Sequence, residues 1–185
     1  MVRLTESERE TITLYDGYVI TLFDKGLSSL EKLNKKQWKD LRNAGYMIDR
    51  LYTLSLAGNE DAKTILHSFV VRIAEQTEVF DTLVADIRKV YPIAEQEIKE
   101  QGVVCTLYWN NKMYLSLTNL LQKVDTISLE LKALKKQQAI PSKVFRDYQH
   151  NVTGRFRNIM DFIYTSCKQH NKMMYPAKQA TEETT

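Results

Sequence analysis

The sequence is poor in the residues that interrupt helices or build cross-linked frameworks. Its 185 residues include 3 prolines, 6 glycines, 2 cysteines and 3 histidines. Scarce proline and glycine, beside abundant Leu, Lys, Glu, Gln and Ala, favour long helices over many short strands. Two cysteines without a Cys-x-x-Cys motif exclude a disulfide framework. We therefore interpret Cys105 and Cys167, which lie among apolar residues, as buried thiols of a protein in a reducing compartment.

Long hydrophobic runs are also missing. No stretch approaches the ~18 apolar residues of a membrane span, and polar residues follow Met1 where a signal peptide would have its apolar segment. The composition, 43% hydrophobic and 26% charged, is that of an ordinary globular protein. We expect a cytoplasmic protein with no membrane contact, made of a flexible N-terminus (1–10), one helical domain (11–172) and a disordered tail (173–185).

The motifs of common catalytic and cofactor sites are absent from the sequence. It contains neither Gly-x-Gly nor Gly-Lys-Ser/Thr, so no glycine loop can hold a phosphate. None of the three histidines has a His or Cys neighbour at metal-ligand spacing. Cys167 and His170 could touch on a helix, but no orienting group or oxyanion donor accompanies them. We predict a protein that is not an enzyme and uses no cofactor or metal.

The periodicity of apolar residues predicts helices joined by two short strands. Polar and β-branched residues alternate over Thr11–Tyr15, which indicates a strand, and Asp16 can cap a short helix. Leucine and β-branched residues from Leu117 to Leu134 recur at steps of three and four, which predicts a helix packed on its neighbours. A capping box at Asn34 predicts the start of a second helix, and a long helix is predicted from Glu60 to Gln101 with a kink at Pro92. A second strand is predicted over Val103–Trp109. A turn at Ala139–Ser142 then leads into a last helix that runs to about Lys172.

Positive charge is concentrated in the C-terminal half. Residues 1–100 carry 14 Lys/Arg against 17 Asp/Glu, a net charge of −3, whereas residues 101–185 carry 12 against 6, a net charge of +6. Such a distribution suits a polyanionic partner. A solvated helix face would give the same pattern, so both interpretations stay open.

The order strand–helix–helix at the N-terminus is that of ribbon-helix-helix proteins, in which one face of a β-ribbon enters the major groove. Alternation puts Thr11, Thr13 and Tyr15 on one face, which could read bases. The residues that could hold phosphates are Lys35, Lys36, Lys135, Lys136, Lys143, Arg146, Arg155 and Arg157. The alternative is an ordinary edge strand that pairs with Val103–Trp109 of the same chain and covers a helix bundle.

Three stretches resemble a known family. They are Ile12–Tyr15 with Leu22, Phe23 and Gly26; Asp40–Arg42 with Asp49–Leu56 and Asn59–Ala62; and Leu107–Tyr114 with Leu120, Leu121, Val124 and Asp125. In this order they resemble the AcaB-type transcriptional regulators of integrating conjugative elements and conjugative plasmids, and Arg157 falls where that family tends to have an arginine. The family's proline in the acidic segment and its proline-glycine turn are absent here. The resemblance implies a ribbon-helix-helix-like dimer that binds DNA to control conjugation genes.

Two functional hypotheses follow from these patterns. The first is a mainly α protein, a long-helix bundle with one or two short strands, that regulates transcription by binding double-stranded DNA as a homodimer. The second is a helical interaction or scaffold protein of the conjugation or regulatory machinery, which binds another regulatory protein instead of DNA.

Overall fold

The structure, a computed structural model, describes residues 10–27, 39–91 and 101–169. It is a mainly α fold with one two-stranded antiparallel sheet, as the sequence predicts. No helix among the described residues has the length and apolar character to cross a membrane. The elements in chain order are β1 (Thr11–Leu14), α1 (Gly17–Phe23), a short 3₁₀ turn (Lys25–Leu27), α2 (Leu41–Leu56), α3 (Glu60–Val90), β2 (Val103–Thr106), α4 (Lys112–Lys136) and α5 (Ser142–Gln169).

Capping side chains set where the helices begin. Asp16 accepts hydrogen bonds from the N–H groups of Tyr18 and Val19, which confirms it as the cap of α1. The predicted start of the second helix is wrong: Asp40 caps α2 by accepting from the Asn43 N–H, so this helix does not extend back to Asn34. The Asp40 carboxylate also accepts from the Lys25 N–H at 3.2 Å, so it joins the start of α2 to the 3₁₀ turn. Asn34 itself lies outside the described residues.

The long helices form one packed bundle. Asp81 of α3 pairs with Lys123 of α4, and Arg88 pairs with Glu130, so these two helices run parallel with an offset of 42 residues. α4 and α5 form the predicted antiparallel hairpin. All six apolar residues of the heptad pattern in α4 are buried, which confirms that its seam packs inside the domain. They are Leu117, Leu120, Val124, Ile127, Leu131 and Leu134.

Within the described residues α3 ends at Val90, whereas the sequence predicts a helix that continues toward Gln101. Pro92 lies just beyond, outside the described residues, and cannot donate the backbone hydrogen bond that would extend a helix. The two cysteines are buried as predicted. Burial raises the pKa of each thiol to about 11, so neither is a thiolate at neutral pH.

Two helices end in the same hydrogen-bonding pattern but with different residues in the left-handed position. Gly58 follows α2 with φ 88°, and Gln138 follows α4 with φ 58°. In each case the next N–H reaches back five residues, from Asn59 to the Leu54 carbonyl and from Ala139 to the Leu134 carbonyl. Both are therefore Schellman caps, and only the second places a Cβ in the conformation that disfavours it.

Gln138→Gly is expected to raise the free energy of unfolding by about 1 kcal/mol. The gain from relieving the left-handed strain, about 1–2 kcal/mol, exceeds the entropy that glycine adds to the unfolded chain, about 0.5–1 kcal/mol. Urea denaturation followed by circular dichroism measures the change. Gly58→Gln is the converse variant and should lower stability, and equal stability of Gln138→Gly and the wild type would contradict the assignment.

Candidate nucleic-acid interface

The strand predicted to read DNA forms a two-stranded antiparallel ribbon with a distant strand of the same chain. β1 pairs antiparallel with β2, with Thr11 opposite Thr106 and Thr13 opposite Val104. This is the second of the two alternatives that the sequence leaves open. The sheet buries Leu14 and Cys105 against the helices. We call the opposite surface the outer face of the ribbon; it is formed by Thr11, Thr13, Val104 and Thr106.

The predicted alternation of β1 is confirmed, and β2 adds Val104 and Thr106 to the same face. Thr11, Thr13 and Tyr15 are exposed, whereas Ile12 and Leu14 face inward. Val104 is 65% exposed and stands beside Thr13. The only sequence signal for the exposure of Val104 is the alternation within Val103–Thr106. The sequence does not say which strand pairs with β1, so it does not place Val104 beside Thr13. The outer face therefore presents hydroxyls and methyls without a charge.

The phase of the ladder hydrogen bonds shows which backbone groups face outward. Leu107 donates its N–H to the Glu10 carbonyl at 2.9 Å, which makes 10 and 107 a hydrogen-bonded position. Because these positions alternate in an antiparallel pair, the backbone groups of Thr11, Thr13 and Tyr15 point away from β2. The Tyr15 N–H is indeed bonded outside the sheet, to the Asp125 carboxylate of α4 at 3.0 Å. α4 thus lies along the outer edge of β1.

Asp125 fixes the junction between β1 and α1. Its carboxylate, in a residue only 4% exposed, accepts from the N–H groups of Tyr15 and Asp16, the latter at 2.7 Å. Lys132, two turns farther along α4, pairs with Asp16 at 3.0 Å. Burial raises the pKa of the Asp125 carboxyl, and the two N–H donors partly offset that effect. The ribbon is therefore held at a set position on α4.

Asp125→Ala is expected to lower the free energy of unfolding by about 3 kcal/mol, because it leaves two backbone N–H groups without an acceptor at about 1–3 kcal/mol each. Asp125→Asn should cost less, since an amide oxygen still accepts and a desolvated charge is removed. Urea denaturation measures both. The control is Asp147→Ala, an exposed acid of α5, which should change stability by less than about 0.5 kcal/mol. A change of stability as small as this for Asp125→Ala would contradict the role of Asp125 in holding β1 on α4.

Four of the predicted phosphate-binding residues lie together, where α4 ends and α5 begins. We call Lys135, Lys136, Lys143 and Arg146 the basic tip. All four are exposed. Lys135 also stacks on the Phe145 ring, with its ammonium 4.5 Å from the ring centre. Asp125 and Lys136 belong to the same helix, so the carboxylate that holds the ribbon and the end of the basic tip are about 17 Å apart along α4.

The other predicted phosphate contacts are not all brought together. Arg155 and Arg157 are two residues apart on α5, which puts them on different sides of the helix. Arg155 is half-buried and donates to the Asn151 side chain at 2.7 Å. Arg157 is exposed, and its guanidinium lies 3.5 Å from the Tyr18 hydroxyl of α1. Arg157 is therefore on the side of the bundle that carries α1, whereas Lys35 and Lys36 lie outside the described residues.

A second polar junction attaches the loop after β2 to the start of α2. Arg42 donates to the Asp24 carboxylate at 2.8 Å and stacks on the Tyr108 ring, with 4.5 Å between the guanidinium carbon and the ring centre. Side-chain exposure is 6% for Asp24 and 47% for Arg42. These contacts join the end of α1 and the loop after β2 to the start of α2. In the described part of the chain, no three His, Cys, Asp or Glu side chains are grouped so that they could hold a metal ion.

Comparison with known proteins finds a similar fold but no close relative. No protein-family model matches the chain, and no curated protein matches it. Among solved structures, the chain is similar to the crystal structure of selenomethionine-containing AcaB from uropathogenic E. coli. The TM-score is 0.67, and the two share 15% sequence identity over 89% of this chain and 84% of AcaB. The resemblance drawn from short sequence matches is therefore confirmed at the level of the fold.

Proposed function

We propose that this chain is a DNA-binding regulatory protein that places the outer face of its ribbon in the major groove and its basic tip against the phosphate backbone. The observation that carries the proposal is the uncharged ribbon clamped onto the helix that ends in the tip. One element thereby holds a surface suited to bases and a surface suited to phosphates in a fixed relation.

The ribbon has the size and chemistry for a groove. Two strands lie about 4.8 Å apart, and the major groove, about 12 Å wide, admits a two-stranded ribbon. Thr11, Thr13 and Thr106 offer hydroxyls that both donate and accept, and Val104 offers methyls that suit the methyl group of thymine. Tyr15, 37% exposed, extends this surface toward α4.

The basic tip supplies the part of the DNA-binding free energy that does not depend on the DNA sequence. Its four cations lie within the local excess of positive charge between 132 and 172, where nine Lys/Arg face two Asp. Each phosphate contact releases counterions and adds affinity that falls with salt. Phosphate contacts fix the position of a protein on the duplex, while base contacts select the sequence.

The regulatory role and the dimer are the parts of the proposal that rest on resemblance. The fold shared with AcaB and the matching stretches support a regulator that controls conjugation genes of a mobile element. A homodimer would place two ribbons on two half-sites, as many groove-reading proteins do. Light scattering of the purified protein tests this part: the proposal predicts a mass of two chains.

Thr13→Val combined with Thr106→Val is expected to reduce sequence preference while leaving the affinity for mixed-sequence DNA unchanged. Valine keeps the shape and β-propensity but removes the hydroxyls, at about 1–3 kcal/mol of discrimination per lost base contact. Selection from a random-sequence library, followed by anisotropy on the selected site and on a scrambled one, measures the ratio of affinities. The matched control is Thr64→Val, an exposed threonine of α3 away from the ribbon, which should keep the preference. An unchanged ratio of affinities for the double variant would show that the hydroxyls of the ribbon do not read bases.

A further inference from the structure

A groove on the side of the bundle formed by α2, α3 and α4 is not used by the proposed DNA contact. Its volume is about 490 Å3, within the range of about 300–1,000 Å3 that is typical of small-molecule sites. Ile73 and Met113, both buried, form its floor, and Tyr52, Val70 and Ala74 line its sides. Val70 is 52% exposed, so an apolar wall of the groove faces solvent.

The parallel register of α3 and α4 places the charged groups of the groove at opposite ends. With the offset of 42 residues, Lys112 is level with Val70 and Ser116 is level with Ala74. Glu78 is eight residues beyond Val70 on α3, or about 12 Å along the axis. At that separation two exposed charges are largely screened at physiological salt. A ligand at the Lys112 end would therefore experience a cation and little of the carboxylate.

Several features favour a negative group at the Lys112 end. Lys112 is exposed, and its ammonium makes no hydrogen bond or ion pair with another described residue, whereas its backbone carbonyl accepts from the Ser116 hydroxyl. It begins α4, a helix of 25 residues whose N-terminal end carries partial positive charge. The floor of the groove beside Lys112 is apolar, so a ligand there needs an apolar part attached to its anionic group. This combination selects a small molecule with a carboxylate head and an apolar tail.

We infer that the α2–α3–α4 groove binds a small apolar carboxylate, with its head at Lys112 and its tail over Ile73 and Met113. Nine described residues line the groove, whereas a stable protein interface uses about 20–30 residues a side. The groove alone is thus matched to a small ligand and not to a protein surface. The site is separate from the ribbon and the basic tip, and binding there can be measured without DNA.

Isothermal titration of the full chain with octanoate, octylammonium and octanol tests this inference. The expected order is octanoate tightest, octanol weaker, and octylammonium weakest. Lys112→Met should weaken octanoate by about tenfold, the effect of one charged contact, and leave octanol unchanged. Lys123→Met is the matched control, because that lysine of α4 pairs with Asp81 outside the groove, and it should bind octanoate as the wild type does.

Ala74→Phe provides a second variant that fills the groove from the exposed surface of α3 and should abolish binding of octanoate and octanol alike. Circular dichroism shows whether this variant keeps the helical content of the wild type. Equal binding of all three probes, or octanoate binding that neither Lys112→Met nor Ala74→Phe alters, would overturn the inference. The absence of heat at millimolar octanoate would overturn it as well.

Discussion

Replacing the four residues of the basic tip with glutamine is expected to lower the affinity for mixed-sequence duplex DNA by on the order of a thousandfold at physiological salt. Each phosphate contact contributes a salt slope of about 0.9, which corresponds to about 0.7 log units of affinity between 1 M and ~0.15 M salt. Four lost contacts therefore remove about three log units. The slope of log K against log salt should fall by about 3.6 at the same time.

Fluorescence anisotropy over a series of salt concentrations measures both quantities. The matched control replaces four cations away from the tip by glutamine: Lys63, Arg72, Lys112 and Lys123. These residues belong to α3 and the N-terminal half of α4. The control has the same net charge as the tip variant, so a general effect of charge would weaken both equally. Equal weakening would contradict a specific role of the tip, and an unchanged slope in the tip variant would exclude it.

Gly45→Ala is expected to lower the free energy of unfolding by about 3 kcal/mol, the largest effect of adding one methyl group that we predict. A Cβ at this position would lie 2.5 Å from Cε3 of Trp109 and 2.7 Å from Cε2 of Tyr114. The two rings pack edge to face with their centres 5.4 Å apart, and Tyr114 is fully buried. Neither ring can give way without moving α2 or α4, so the methyl overpacks the core.

Gly154→Ala is the control for Gly45→Ala, since it makes the same change in a helix of the same bundle. Apart from its chain neighbours and the backbone of its own helix, nothing lies within 4 Å of a Cβ built at Gly154. Alanine there should raise stability by up to about 1 kcal/mol, because it favours the helix over the unfolded chain. Urea denaturation of the two variants should give shifts of opposite sign. A stabilised Gly45→Ala variant would show that α2 does not approach the aromatic pair so closely.

Local patterns predicted most of the helices because each depends on neighbouring residues. The spacing of three and four from Leu117 to Leu134 fixes one buried face of α4 whatever it packs against. Asp16 caps α1 through N–H groups only two and three residues away. The end of α2 at Gly58 follows from the left-handed conformation that glycine adopts most readily. Such signals can be read without knowing the rest of the fold.

The parts of the candidate interface that the sequence could not supply depend on contacts between distant residues. β1 and β2 are about ninety residues apart in sequence, and two uncharged β-branched strands give no signal of which edge each one uses. The role of Asp125 depends on N–H groups 109 and 110 residues away. A weak signal existed, since Leu121, Asp125 and Ser128 form a second row beside the heptad seam, and all three are buried.

The two hypotheses from the sequence differ most in what they predict for the wild-type protein on DNA. Anisotropy of the purified full chain on mixed-sequence duplex, titrated from ~0.05 to ~0.2 M salt, is therefore the measurement that tests the central claim most directly. The proposed interface predicts binding that weakens steeply with salt, by at least about a hundredfold over this range if the tip and further cations contact phosphates. No binding at the lowest salt would contradict DNA recognition and would favour the helical interaction protein.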